Sequence, residues 1–456
     1  MLFNPQQYWQ KLRESLWFVP CLIVLGACGV AYGVIEFDAR TSFDGDKQFP
    51  LLFGAGAEGS RGMLTAIAGS MLTVAALVFS LTLSSISQVS SQYSPRVLRN
   101  FMSDRGNQVV MGYFVGVFTY CLIVLGTIRG TDEQRFVPST AVLLGLVFAL
   151  GGVVALIYFI HHIAESLQTG TILQRISEET LQAMNRMFPK ELGEPAELPE
   201  SEALLSAFSE NAATWRPVRT SQAGYVQRID GPALLEWATQ HNALLRIEQA
   251  IGAFVGEQTL LFQVQPDSAA ASPLSAKALE ELPSHLVIGR HRNTEQDVAF
   301  GIQQLVDIAL RSLSPGINDT TTAIMAIDYL GLTSQRLASR TFPSRLRSDG
   351  EQPRVLTTAL DFPGYLRLLF DLVRLNAKGN HTVFRRLLRA LALTAEAAHT
   401  KERKSAVHTQ ATLLLSYAEQ TLATEDEKRS VRALHAELLH FWEVPLSNRL
   451  QYQAEA

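Results

Sequence analysis

Cysteine is nearly missing from this chain. The three present, Cys21, Cys28 and Cys121, all lie in apolar runs. No thiol follows residue 121, which excludes a disulfide framework or a cysteine-based zinc site in the rest of the chain. An excess of charge of one sign is also lacking: 39 Lys and Arg stand against 43 Asp and Glu, a net charge of −4. That balance gives no basic footprint for a nucleic-acid partner. Charge of either sign is absent from Gly62 to Pro95, 34 residues bounded by Arg61 and Arg96. Lysine is absent from residues 217–266, which excludes a swinging-arm carrier there.

The uncharged stretch is long enough to cross a bilayer, which takes about 20 apolar residues. It is not uniformly apolar. Thr73, Ser80, Ser84, Ser87 and Ser91 recur at spacings of seven, four, three and four. At 3.6 residues per turn they fall within an arc of about 60° on one helix face. Such a stripe suits close helix packing, with hydroxyls bonding across a contact or back to carbonyls. It equally suits a water-filled path lined by several copies around an axis. The length of the stripe, five turns, favours the second.

Three further runs qualify as spans. Ser15 to Ile35 is free of charge for 21 residues and carries Trp9 and Trp17 near its start as interfacial anchors. Gly106 to Ile128 and Phe136 to Ala164 are the third and fourth. Glycines at 26, 29, 33, 112, 116, 145, 151 and 152 suggest close helix contacts. Leu25 to Cys28 loosely matches a lipoprotein cleavage site, but the apolar run continues to Ile35, which suits an uncleaved span. Lys and Arg in the short connections give a weak bias that puts both termini inside. The large cysteine-free remainder suits the cytoplasm. Glu36 and Asp38 then fall at an outer mouth. Arg96, Arg99 and Arg105, after the second span, fall where membrane and cytoplasmic parts join, positioned for lipid phosphate or for coupling. Gly54, Gly56 and Gly59 form a GxGxxG, but no strand precedes it, so it fails the context of a dinucleotide site.

Helical spacing continues past the fourth span to Phe188, as a stalk. His161, His162 and Glu165 lie at its membrane exit without a further ligand, so no metal site is expected. Residues 189–199 hold three prolines and read as a linker, followed by a short helix from Ser201 to Ala212. Strand patterns at 217–220, 224–229, 243–248 and 258–264 surround a helix capped by Asp230, giving a small α+β module. Gly252 to Leu261 resembles a hairpin of biotinyl- or lipoyl-type sandwiches, without the lysine. Two helices follow, one opened by Thr294 and Asp297 and broken at Ser314 to Asp319, the second capped by Asp319 and running to about Leu337. Asp297, Asp307, Arg311, Asn318 and Asp319 form a cytoplasmic polar cluster around that turn, most simply an ion-pair network. The basic stretch from Ala338 to Arg354 reads as a loop. Four helical patterns end the chain: Tyr365 to Leu375, His381 to His399, Lys404 to Leu422 and Asp426 to Phe441.

Three of these stretches, SQYSPRVLRNFMSDRGNQ, GYVQRID and QDVAFGIQQLVDIALRSLSPGINDTTTA, occur in one order. With them the chain resembles the predicted bacterial membrane proteins grouped as domain of unknown function 2254. The proline usual in that family after Asn-Asp is Thr320 here. The resemblance implies an integral membrane protein with four spans and a cytoplasmic domain; it implies no activity.

The expected fold is mainly α: four transmembrane helices plus a mostly helical cytoplasmic domain containing a small α+β module. The expected parts are a membrane domain at 1–160, a stalk and linker at 161–216, the module at 217–267, the helical signature region at 274–340 and a terminal bundle at 353–456. The expected function is a homo-oligomeric channel or pore for ions or small solutes. Its lining is Thr73, Ser80, Ser84, Ser87 and Ser91. The alternative is a membrane-anchored scaffold or sensor without transport. No catalytic residue, cofactor or metal is expected, and the partners are the bilayer, further copies and an unidentified permeant species. The lining helix carries no charge, so a charged selectivity ring at mid-membrane is not expected.

Overall fold

The computed structural model describes residues 17–40, 56–92, 104–131, 134–188, 215–266, 274–350 and 352–443. Two compact units divide the chain, residues 1–172 and 173–456.

The first unit holds four helices long and apolar enough to cross a membrane: α1 (Phe18–Arg40), α2 (Gly56–Gln92), α3 (Arg105–Thr127) and α4 (Ser139–Ser166). A hairpin of β1 (Arg129–Thr131) and β2 (Gln134–Phe136) joins α3 to α4. The bundle is organised around α3, against which α1, α2 and α4 all pack. Glycine sets the approach of these helices. A Cβ on Gly112 would lie 2.7 Å from the Ile23 side chain and 2.9 Å from the Pro20 backbone, so α1 meets α3 only because that position lacks one. Polar anchors hold α4. Tyr120 and Tyr113 on α3 each donate 2.8 Å hydrogen bonds, to the carbonyls of Ala141 and Phe148. Pro138 cannot cap α4, and the Asp38 carboxylate of α1 accepts instead from the Ala141 amide at 3.0 Å.

The stalk is not a continuation of the fourth span. α4 stops at Ser166, and α5 (Thr169–Met187) starts afresh. Leu167 and Gln168 close the first helix with amide bonds to Ile163 and Glu165, and the Gln168 carbonyl opens the next by accepting from Ile172. Apolar periodicity runs through this break, which is why the sequence reads as one rod.

The second unit combines sheets and helices. A five-stranded sheet has the order β3 (Arg216–Arg219), β7 (Leu260–Pro266), β5 (Ala243–Ile247), β10 (Pro353–Leu356), β9 (Leu346–Ser348). β10 and β5 pair parallel, and the other pairs of this sheet are antiparallel. A three-stranded sheet has the order β6 (Phe254–Val255), β4 (Gly224–Ile229), β8 (Leu286–Gly289). Both sheets share one core, in which Leu245, Phe262 and Val264 of the larger sheet and Val226 of the smaller pack with Leu234 and Trp237 of α6 (Gly231–Gln240) and Ala278 of α7 (Ala276–Glu281). The α+β module therefore borrows β8, β9 and β10 from outside 217–267, and the stretch read as a loop from Ala338 to Arg354 contains β9 and enters β10.

The helices are α8 (Val298–Ser312), α9 (Thr320–Ser339), α10 (Phe362–Asn376), α11 (His381–Ala397), α12 (Lys401–Thr421) and α13 (Glu425–Glu443). Asp230, Asp297, Asp319, Asp361, Asn380 and Thr400 cap α6 and α8 to α12 with side-chain oxygens. α9 and α11 meet through small residues, Gly331 against Ala390, with a Ser334–Thr394 hydroxyl bond and an Arg386–Asp328 ion pair alongside. Thr320, where the resembled family has proline, accepts a hydrogen bond from Asn380 at 2.9 Å. The linker at 189–199 and the short helix from Ser201 to Ala212 lie outside the described residues.

Candidate functional site

α2 runs for 37 residues and has two dissimilar faces. Leu64, Ile67, Ala68, Met71, Ala75 and Val78 are buried against the other spans. Thr73, Ser80, Ser84 and Ser87 are exposed, on the face roughly 180° away. Gly62 and Gly69 share that outward face, and a Cβ on either would meet nothing within 4 Å. Packing inside the four-helix unit therefore leaves the stripe untouched. Exposed Leu72, Phe79 and Leu83 border it on one side, Leu77 and Leu81 on the other. The Thr73 hydroxyl donates back to the Gly69 carbonyl at 2.9 Å, and Thr82 and Ser85 do the same to Val78 and Leu81 at 2.8 Å. Such bonds satisfy a hydroxyl in apolar surroundings while its lone pairs stay free to accept. The side chain of Ser91 lies outside the described residues.

The proposed mouth residues have partners within the chain. Glu36 pairs with Arg40 at 2.7 Å, and Asp38 caps α4 as described. Of the coupling arginines, Arg105 is the first residue of α3, while Arg96 and Arg99 lie outside the described residues.

Beside Arg105 the structure adds a pair that the sequence reading missed. Asp104 caps α3, accepting from the Gly106 amide at 2.8 Å, and its Oδ1 also meets His162 Nε2 at 3.0 Å. His162 stacks on Tyr158, ring centroids 5.5 Å apart. The capping half was readable, since Asp before Arg-Gly-Asn opens the third apolar run. Its partner, 58 positions away, was not. Next to this pair, Asn107, Gln108 and Thr82 help line a cavity of about 20 Å³ between α2 and α3, large enough for one water molecule. Among the described residues Asn107 Oδ1 finds no hydrogen-bond donor.

The five polar residues of the signature region do not form one cluster. Asp297 opens α8, and Asn318 and Asp319 follow its far end. The helix is 15 residues long, so the two groups are roughly 22 Å apart at 1.5 Å rise per residue. Asp297 is a buried structural node: it accepts from the Phe300 amide at 2.9 Å and from Arg292 Nε and Nη2 at 2.8 and 2.9 Å. Arg292 lies 5.1 Å over the Phe300 ring. Gly252, at φ +82°, abuts the pair, where a Cβ would stand 2.4 Å from Asp297 Oδ2. Burial, and then the Asp297 charge, raise the pKa of Tyr365. Asp319 is held below its usual pKa by hydrogen bonds from Thr322. Asp307 accepts from Gln303 at 3.0 Å, and Arg311 stands in the last turn of α8, where its charge suits the helix dipole. Asn318 takes the left-handed conformation, φ +49°, that ends the turn. This geometry makes caps and a turn. At the exit of α4, His161 lies 3.8 Å from Glu165, and no group of three metal-binding side chains occurs among the described residues.

A model of the family described as predicted membrane protein (DUF2254) matches residues 13–393. The chain is 30% identical over 429 residues to the uncharacterized proteins MT1328 and Rv1290c of Mycobacterium tuberculosis strains, covering 92% of this chain and 79% of each relative. The same values hold for uncharacterized protein Mb1321c of Mycobacterium bovis. No solved structure matches the chain.

Proposed function

This chain belongs to the DUF2254 family of predicted membrane proteins, and from that premise we propose that it is a homo-oligomeric channel or pore for ions or small solutes, lined by α2. One observation carries the reading: the hydroxyl stripe points away from the helices of its own subunit. A polar seam facing lipid gains nothing, whereas around an axis it supplies water with hydrogen-bonding partners. The leucines and Phe79 beside the seam supply the apolar flanks with which neighbouring copies of α2 pack. α1 offers a different patch for the ring contact. Gly26, Gly29 and Gly33 are exposed on it with nothing within 4 Å of their would-be Cβ atoms. Two unlike patches per subunit are what a head-to-tail ring requires.

In this reading both termini are cytoplasmic, the membrane is the bacterial inner membrane, and the C-terminal unit regulates passage without acting as an enzyme. Purified protein reconstituted in planar bilayers tests it. We expect single-channel currents that Ser84→Leu abolishes or reduces at least tenfold while the oligomer stays intact. Absence of current in every salt gradient, from a correctly assembled protein, overturns conduction and leaves a membrane-anchored scaffold or sensor.

A further inference from the structure

One cavity in the second unit is unrelated to the stripe. It holds about 320 Å³ and opens where α10 and α12 begin. That volume is within the range of small-molecule sites, about 300–1,000 Å³. Phe342, Phe362 and Pro363 form its apolar wall, and Asp361, Glu402 and Arg403 supply its charges.

Arg403 is the unusual member. Its guanidinium carbon sits 5.2 Å over the Phe342 ring and 5.4 Å over the Phe362 ring, which themselves meet edge to face. Nη1 donates to the Ala338 carbonyl at 2.7 Å. No carboxylate among the described residues stands within 4.0 Å of this half-buried cation. Burial lowers its pKa. A guanidinium fixed by two rings and a carbonyl still presents donors to a carboxylate. The two acids of the same cavity are occupied only locally. Asp361 caps α10 through the Gly364 amide, and Glu402, held ionised by hydrogen bonds from its own amide and the Thr400 hydroxyl, faces solvent.

A stacked cation, two acids and an aromatic wall lining one cavity define one ligand chemistry. We propose that this cavity binds a free apolar α-amino acid, its carboxylate on Arg403, its ammonium toward Asp361 and Glu402, and its side chain against Phe342 and Phe362. The site is independent of the pore reading. It is a small-molecule input on the C-terminal unit, whether the membrane helices conduct or only anchor.

The test is calorimetric titration of the full-length protein in detergent with L-phenylalanine and L-leucine. The comparison ligands are glycine, phenethylamine, which lacks the carboxylate, and 3-phenylpropionate, which lacks the ammonium. Hydrogen exchange at residues 361–364 and 400–403 locates the binding. We expect the two apolar amino acids to bind, the three comparison ligands to bind at least tenfold more weakly, and protection to appear at those segments. Arg403→Gln is expected to abolish binding. Glu402→Gln, at a solvent-facing position that does not challenge folding, is expected to weaken phenylalanine several-fold while leaving 3-phenylpropionate unchanged or improved. No binding of any apolar amino acid at millimolar concentration overturns the proposal. So does 3-phenylpropionate binding as tightly as phenylalanine, or binding that Glu402→Gln leaves unaltered.

Discussion

Asp297 shows how much one side chain can hold. It caps a helix, receives a two-pronged arginine and sits against a glycine that has no room for a Cβ. Asp297→Ala leaves Arg292 without this partner and α8 uncapped, and breaking a buried pair costs roughly 3–5 kcal/mol. We expect a loss of about 3 kcal/mol in denaturant unfolding of the purified protein. His435 on α13 acts in the opposite sense. Burial, and then His408 on α12, hold its pKa below the ordinary value of 6.5. The unfolded chain takes up the proton first as pH falls, so below about pH 6.5 the unfolded state binds more protons than the folded one. Stability contributed by neutral His435 is complete above that pH and declines as acid carries the chain through the window down to the folded pKa. Thermal unfolding between pH 7.5 and 5.5 checks this: the melting temperature is expected to drop with acid, and to drop less in His435→Gln.

At the scale of elements, glycines divide into two populations with different tasks. Gly112, Gly116, Gly145 and Gly152 lie within contact distance of a neighbouring helix. Gly26, Gly29, Gly33, Gly62 and Gly69 face open space within their unit. Composition alone cannot separate these groups, because small residues serve any close approach, inside a subunit or between subunits. A paired substitution does. Gly112→Val drives side-chain atoms into Ile23 and the Pro20 backbone and is expected to cost about 1–3 kcal/mol, as overpacking does, read as a lower melting temperature in detergent. Gly69→Val is expected to change the stability of the unit by no more than about 0.5 kcal/mol, as surface changes do, while altering assembly.

For the whole molecule the exposed seams of α1 and α2 lead to one further expectation. In a ring with the stripe at its axis, identical positions on α2 lie close to their symmetry mates. With Cys21, Cys28 and Cys121 replaced by serine or alanine, Gly69→Cys is expected to form intersubunit disulfides in membranes, seen as a covalent dimer on non-reducing gels. Leu64→Cys, on the buried face, is expected to form none. Equal cross-linking from both positions would remove the axial placement.

The sequence by itself determined what depends on neighbours along the chain. Four spans, the period of the α2 stripe and the caps at Asp230 and Asp319 were legible because a helix face repeats every few residues and a cap bonds within three, whereas the capping box expected from Thr294 gives way to Asp297 itself as the cap of α8. The break at Leu167 and Gln168 escaped, since apolar spacing carries straight through it. Only the tertiary structure decided which face of α2 is spent on its own bundle, because apolar and hydroxyl faces can each pack. Only it brought Asp38 to the start of α4, His162 to Asp104, β10 beside β5, and Arg403 over two phenylalanines. Most of these partners are tens to more than 100 positions apart, and no local periodicity encodes a meeting that chain topology alone arranges.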